Sequence, residues 1–263
     1  MARRRKVPQT RYPMNMEKSY MRTLNRLILS WRKIAQWYVN DYLKHYVSGG
    51  AVSFDDANDK NDPQDIERIA TVIALMTIAI KNARTKSFAD IASSFVLSVN
   101  SFSFSNCDRQ ANALAIRAIE TDPTIQTFIK AKIKENTSYI TSLRDDYISQ
   151  LRNDIYRSIS DGGGAIQLTQ IISKRTHMAY NRAKLIANDQ TGSILSQLNA
   201  YRAQRAGFEK YRWQSMEDDR VRPKHQELDQ QIFRYDDPDG GDNGALPGEP
   251  INCRCVATPI AED

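Results

Sequence analysis

Cysteine is scarce in this chain: three in 263 residues, an odd number. Cys253 and Cys255 stand one residue apart, a spacing that would strain a disulfide, so a stapled secreted scaffold is not expected and a reducing compartment fits better. Long apolar runs are missing as well. The best, "IATVIALMTIAI" at 69–80, is 12 residues, the length of a core helix and short of the roughly 20 a membrane span needs. No membrane is expected among the partners. The opening "MARRRKVPQTRYP" has the charge of a signal peptide without its apolar stretch, so no secretion signal is expected. Walker, HExxH and nucleophile motifs are also missing, which speaks against an enzyme.

What the chain does have is charge, unevenly spread. The net charge is +6; residues 1–48 carry 11 Lys/Arg against 2 Asp/Glu, 49–80 carry 2 against 6, 81–207 carry 17 against 10, and 208–263 carry 7 against 13. A basic helical part and an acidic end suggest a polyanionic partner near the front, with nucleic acid the commonest kind; simple solvation of basic helices is the alternative. Arg3, Arg4, Arg5, Lys6 and Arg11 are the candidate contacts to double-stranded DNA, independent of its sequence because each cation meets a phosphate. A disordered solubilising tail accounts for residues 1–15 equally well.

Helical periodicity dominates to about residue 207. Met21, Leu24, Ile28, Trp31, Ala35, Tyr38 and Tyr42 mark one face of a helix over 14–47, and Ile69–Ile80, apolar nearly all round, predicts a helix in the middle of a bundle. Residues 87–106 are Ser- and Phe-rich and read as a short helix followed by a loop. Further helices are expected at 108–120, 124–135 and 138–160, then a short one at 165–174 and a long one at 176–206. Past Gly207 the pattern changes to short β-like runs at 208–215, 232–235 and 253–260. The expected fold is mainly α, a long-helix N-terminal body followed by a small α+β C-terminal module. The divisions are a basic tail at 1–15, a helical body at 16–160, and a domain at 161–263 made of the long helix and the module at 207–263.

The module holds the residues with chemistry. His225, Cys253 and Cys255 are candidate metal ligands, since imidazole and thiolate suit zinc, with Glu249, Asp229 or water as a fourth. Structural zinc prefers four Cys/His ligands and three are present, so the preferred reading has no metal and no cofactor, with the cysteines packed as small apolar groups. Alternating positions put Cys253, Cys255 and Ala257 on one face and free Arg254 to pair with Asp218 or Asp219. Glu217, Asp218, Asp219 and His225 are the right types for a metal-dependent hydrolase or nuclease-like module, which stays open as a second reading. No catalytic residue is assigned.

The ordered combination Trp213, Asp218-x-Arg220-Val221, His225, Phe233, Pro247-Gly248 and Cys253-Arg254-Cys255, over about 165–260, resembles the phage head-morphogenesis family, the Mu F-like minor head proteins of tailed phages. The resemblance implies a minor capsid protein in the head interior near the portal vertex. It implies association with the portal protein, with the major capsid protein or scaffold as further contacts, and with packaged DNA, and synthesis in the host cytoplasm during assembly. It also implies that Trp213, Asp218, Arg220, His225, Phe233, Cys253, Arg254 and Cys255 organise the module's core. Many relatives carry a cysteine where this chain has Arg222 and a histidine near Glu249-Pro250-Ile251. A plain, non-specific DNA-binding protein unconnected with capsids is the third reading.

Overall fold

A computed structural model of the chain describes residues 7–47, 63–83 and 85–261. Arg3, Arg4, Arg5 and Lys6 lie outside the described residues. The chain is mainly α with a small α+β module at its C-terminal end. Its helices are α1 (Met14–Tyr38), a π-turn (Val39–Leu43), α2 (Lys44–Val47), α3 (Pro63–Lys81), α4 (Phe88–Asn112), α5 (Pro123–Ser160) and α6 (Ala165–Arg205). The module follows as β1 (Lys210–Gln214), α7 (Pro223–Leu228), β2 (Ile232–Arg234), a kinked turn α8 (Gly240–Asn243) and β3 (Val256–Ile260). No helix among the described residues is long and apolar enough to cross a membrane.

Three expected boundaries fall differently. Residues 87–106 belong to one 25-residue helix, α4, which runs on through part of the segment expected as a separate helix at 108–120. The helices expected at 124–135 and 138–160 are the single 38-residue α5, and those at 165–174 and 176–206 are the single 41-residue α6. In α4 and α5 the apolar stripe is broken by polar residues that are nevertheless buried, Ser103, Asn106 and Asn136 among them. Their hydrogen bonds to distant partners keep the helix continuous where the periodicity fails.

The chain divides into two compact units, each assembled from separated segments: Met1–Met21, Phe88–Thr137 and Leu185–Asp263 in one, Arg22–Ser87 and Ser138–Lys184 in the other. The second is held mainly by apolar packing. Leu24, Ile28, Trp31 and Ala35 of α1, Ile73, Met76 and Ile80 of α3, and Ile140, Leu143, Leu151 and Ile155 of α5 are buried. The Trp31 and Tyr147 rings meet at 5.9 Å. Asp154 receives two 2.7 Å bonds from the Arg175 guanidinium, which holds its carboxyl below the usual range. Two expectations change here. Helix α3 is not enclosed, because Ile66, Leu75 and Ile78 are exposed. The buried face of α1 also does not continue through Tyr42. The wider π-turn carries it through Val39, Leu43 and Val47 at four-residue steps, leaving Tyr42 exposed and edge-on to Trp37.

The first unit leans on buried polar groups. Asp122 caps α5, accepting from the Ile125 N–H at 2.8 Å, with Pro123 at the first helical position. Tyr20 stacks on Phe95 at 3.9 Å and donates to Asn136, which in turn donates to Gln190. Arg202 is wholly buried on α6 and spends its donors on Ser103, Asn100 and the carbonyls of Ile119 and Glu120.

The sheet has the order β2-β1-β3, antiparallel throughout, with Tyr211 opposite Phe233 and Trp213 opposite Ala257. Period-two alternation aims Tyr211 and Trp213 of β1 inward, and Cys253, Cys255 and Ala257 join them, with Phe233 and Tyr235 packed alongside. Pro259 is tolerated because β3 is an edge strand. Beside it the N-terminal segment is fixed in place: the Thr10 N–H donates to Thr258 Oγ1 and the Thr10 hydroxyl to the Ala257 carbonyl. Helix α4 holds the same segment, as Gln110 and Arg109 donate to the carbonyls of Pro8 and Gln9.

Candidate functional site

Two short elements and one loop build a buried triangle in the module. Pro223 starts α7 at its first position and puts His225 on the inner side, 2% exposed. The Trp213 ring meets the imidazole edge-on at 5.2 Å. The loop before β3 delivers Cys253 and Cys255, whose sulfurs lie 3.5 and 3.7 Å from His225 Nδ1. On the other side of the ring, Nε2 is 3.0 Å from Asp242 Oδ2. With Nε2 donating to that carboxylate, Nδ1 turns its lone pair to the two sulfurs. Lys224 also pairs with Asp242 and, ahead of His225, holds its carboxyl below the usual range.

The two thiols are unequal. Cys253 is pulled down to about 6, first because Cys255 donates to it, with the backbone N–H groups of Cys255 and Gly248 adding to the effect against its burial. Cys255 is pushed up by the proton it shares with Cys253 and by burial. A void of about 20 Å³ adjoins the three side chains and is bordered also by Asp218, Val221 and Arg222.

Two glycines make the triangle possible. On α6, a Cβ at Gly192 would come within 2.5 Å of the Gly248 oxygen and 2.9 Å of the Cys253 oxygen, so only glycine lets the loop lie on the helix. Gly241, at φ 66°, would place a Cβ 3.0 Å from both the Trp213 ring and the Tyr211 hydroxyl. Asp189 of α6 completes the seat by accepting the Asn252 N–H. Neither Gly192 nor Asp189 stands out in the sequence analysis; a lone glycine inside a helical pattern was the available signal.

Of the residues singled out from the sequence, Trp213, His225, Cys253 and Cys255 come together and Phe233 packs against their cluster. Glu249 does not join them: it accepts from the Leu246 N–H and the Gln197 amide. Asp229 accepts from the Ser215 N–H at 2.6 Å. Asp218 is taken up by Arg220 next along its own turn, and Glu217 and Asp219 are exposed. Arg254 does not pair with Asp218 or Asp219. Its guanidinium makes bonds of 2.9 and 2.6 Å to Glu17 of α1, which also accepts the Tyr12 hydroxyl at 2.8 Å. The side chain of Glu17 is 7% exposed, a deeper site than the 218–219 turn offers. Arg11 is exposed; partial burial of Arg109 and then the Arg11 charge lower the Arg109 pKa.

The buried core is assembled from residues widely spaced along the chain, and its cysteine loop rests on the long helix α6. Residues 149–258, less than half of the chain, match the family described as Phage Mu protein F like protein, so this segment is similar to that family. It is also 28% identical over 187 residues to an uncharacterized protein of Haemophilus influenzae, strain ATCC 51907 / DSM 11121 / KW20 / Rd. That alignment covers 70% of this chain and 41% of the relative, so the chain spans less than half of the relative's length. No solved structure matches.

Proposed function

We propose that this chain is a minor head protein that works by binding, attaching to the portal protein during procapsid assembly and meeting packaged double-stranded DNA. The observation that carries the reading is the Mu F-like match over 149–258, because it takes in all of α6 and the module as far as the first residues of β3. Its signature side chains Trp213, His225, Cys253 and Cys255 are each 5% exposed or less, so they serve a shape rather than an open catalytic cleft. The surfaces for the portal, and for the major capsid protein or scaffold, are then the faces around that core. For DNA, support comes from the adjacent cations Arg11 and Arg109 and from the anchoring of residues 8–10 on α4, which ties the segment following Arg3–Lys6 to a firm base.

The test is mass spectrometry of purified particles with co-sedimentation on isolated portal oligomers. The expected result is a few copies per particle and a pellet containing both proteins. Absence from procapsids and virions alike, with no co-sedimentation, overturns the reading. A separate gel-shift series tests the DNA part: binding to duplex DNA should fall steeply with salt, as phosphate neutralisation requires.

A further inference from the structure

We propose that His225, Cys253 and Cys255 bind one zinc ion that clamps α7 to the loop before β3. This goes beyond the head-protein reading and does not depend on it. The argument starts from geometry. Zinc bonds of about 2.0–2.1 Å to imidazole nitrogen and 2.3 Å to thiolate sulfur, at a tetrahedral angle, separate nitrogen from sulfur by about 3.5 Å. The two nitrogen–sulfur distances are 3.5 and 3.7 Å, and all three ligand atoms lie within 4.8 Å of one another. Two edges of the triangle thus already match those of one face of a zinc tetrahedron.

The surroundings agree. Metal-bound histidines hand their other ring nitrogen to a carboxylate, which fixes the ring and raises its basicity; Asp242 occupies that place at 3.0 Å from Nε2. The adjoining void of about 20 Å³ has room for one water as a fourth ligand. Two thiolates neutralise a divalent zinc ion, so the complex is compatible with a core in which His225, Cys253 and Cys255 are 2%, 5% and 3% exposed. Glu249 and Asp229 are occupied elsewhere, which leaves water as the fourth ligand.

The full chain, purified without chelators from zinc-supplemented cells, should carry about one zinc per chain by mass spectrometry of the metal. Stripping it with a chelator should lower Tm, and adding zinc alone should restore it. Cobalt added to the stripped chain should give thiolate charge-transfer and tetrahedral d–d absorption that saturate at one equivalent. Asp242→Asn should fold by circular dichroism and weaken zinc affinity by roughly 10- to 100-fold. Three results would overturn the site: zinc well below one equivalent with no cobalt spectrum, a Tm indifferent to zinc, or equal zinc retention in a folded Cys253→Ser/Cys255→Ser double variant.

Discussion

The two compact units solve the same problem with different chemistry. In the unit formed by Arg22–Ser87 and Ser138–Lys184, long helices meet through Leu, Ile, Met and Trp side chains, with Asp154–Arg175 as a polar clasp at the side. In the unit that contains the sheet, charged and amide side chains sit inside: Arg202 with four oxygen acceptors, Glu17 with Arg254 and Tyr12, Asn136 between Tyr20 and Gln190. Apolar cores accept volume-conserving changes. Buried polar networks do not, because each lost partner strands another group away from water. The difference places structural specificity in the sheet-bearing unit, where most of the Mu F-like signature lies.

Four variants break or sharpen this contrast. The largest effect is expected from Arg254→Ala, which leaves Glu17 buried without its cation; loss of one partner of a buried pair costs about 3–5 kcal/mol, read as a drop in the urea midpoint at constant slope. Arg202→Lys keeps the charge but loses the planar fork, stranding some of its four acceptors at a cost of about 1–3 kcal/mol. Its counterpart in the other unit, Leu151→Met, replaces an equally buried side chain and should cost less than about 1.5 kcal/mol. If the two substitutions cost the same, the contrast between the units is wrong. Gly192→Ala tests the seat of the cysteine loop: its Cβ meets backbone oxygens that cannot swing aside, so about 1–3 kcal/mol is expected, together with faster proteolysis near Gly248.

The smallest expected effect is a pH dependence. Asp154 has its folded pKa depressed, first by the hydrogen bonds from Arg175. A depressed carboxyl contributes stability that is complete above its unfolded pKa of about 3.9 and is lost as pH falls through the folded value. Urea midpoints measured from pH 6 down to pH 2 should therefore fall less steeply below about pH 4 in Asp154→Asn than in the parent chain. Identical slopes would mean that Asp154–Arg175 adds nothing.

How much of this was legible depended on distance along the chain. Helices α1, α5 and α6 announce themselves because their buried faces repeat every three or four residues, a local property. Helix α4 hid because its buried positions include Ser103, Asn106 and Gln110, whose helical state rests on partners roughly 95–100 residues away, such as Asn199, the Arg11 N–H and Thr10. The module's core was readable as a set of residue types, and Trp213, His225 and the two cysteines do meet. Their common seat on Gly192 and Asp189 carried no comparable signal, since both sit inside an otherwise ordinary helical pattern.

By itself, then, the sequence determined a mainly helical chain, the change of texture after Gly207, the inward alternation of Tyr211 and Trp213, and the family signature, all of which rest on short-range periodicity and residue type. Only the tertiary structure decided that Arg254 answers to Glu17 rather than to Asp218, and that His225 stands between Asp242 and two sulfurs at 3.5 and 3.7 Å. Polar partners are chosen by which groups folding brings together away from water, and for two residues 237 positions apart nothing in the chain encodes that locally.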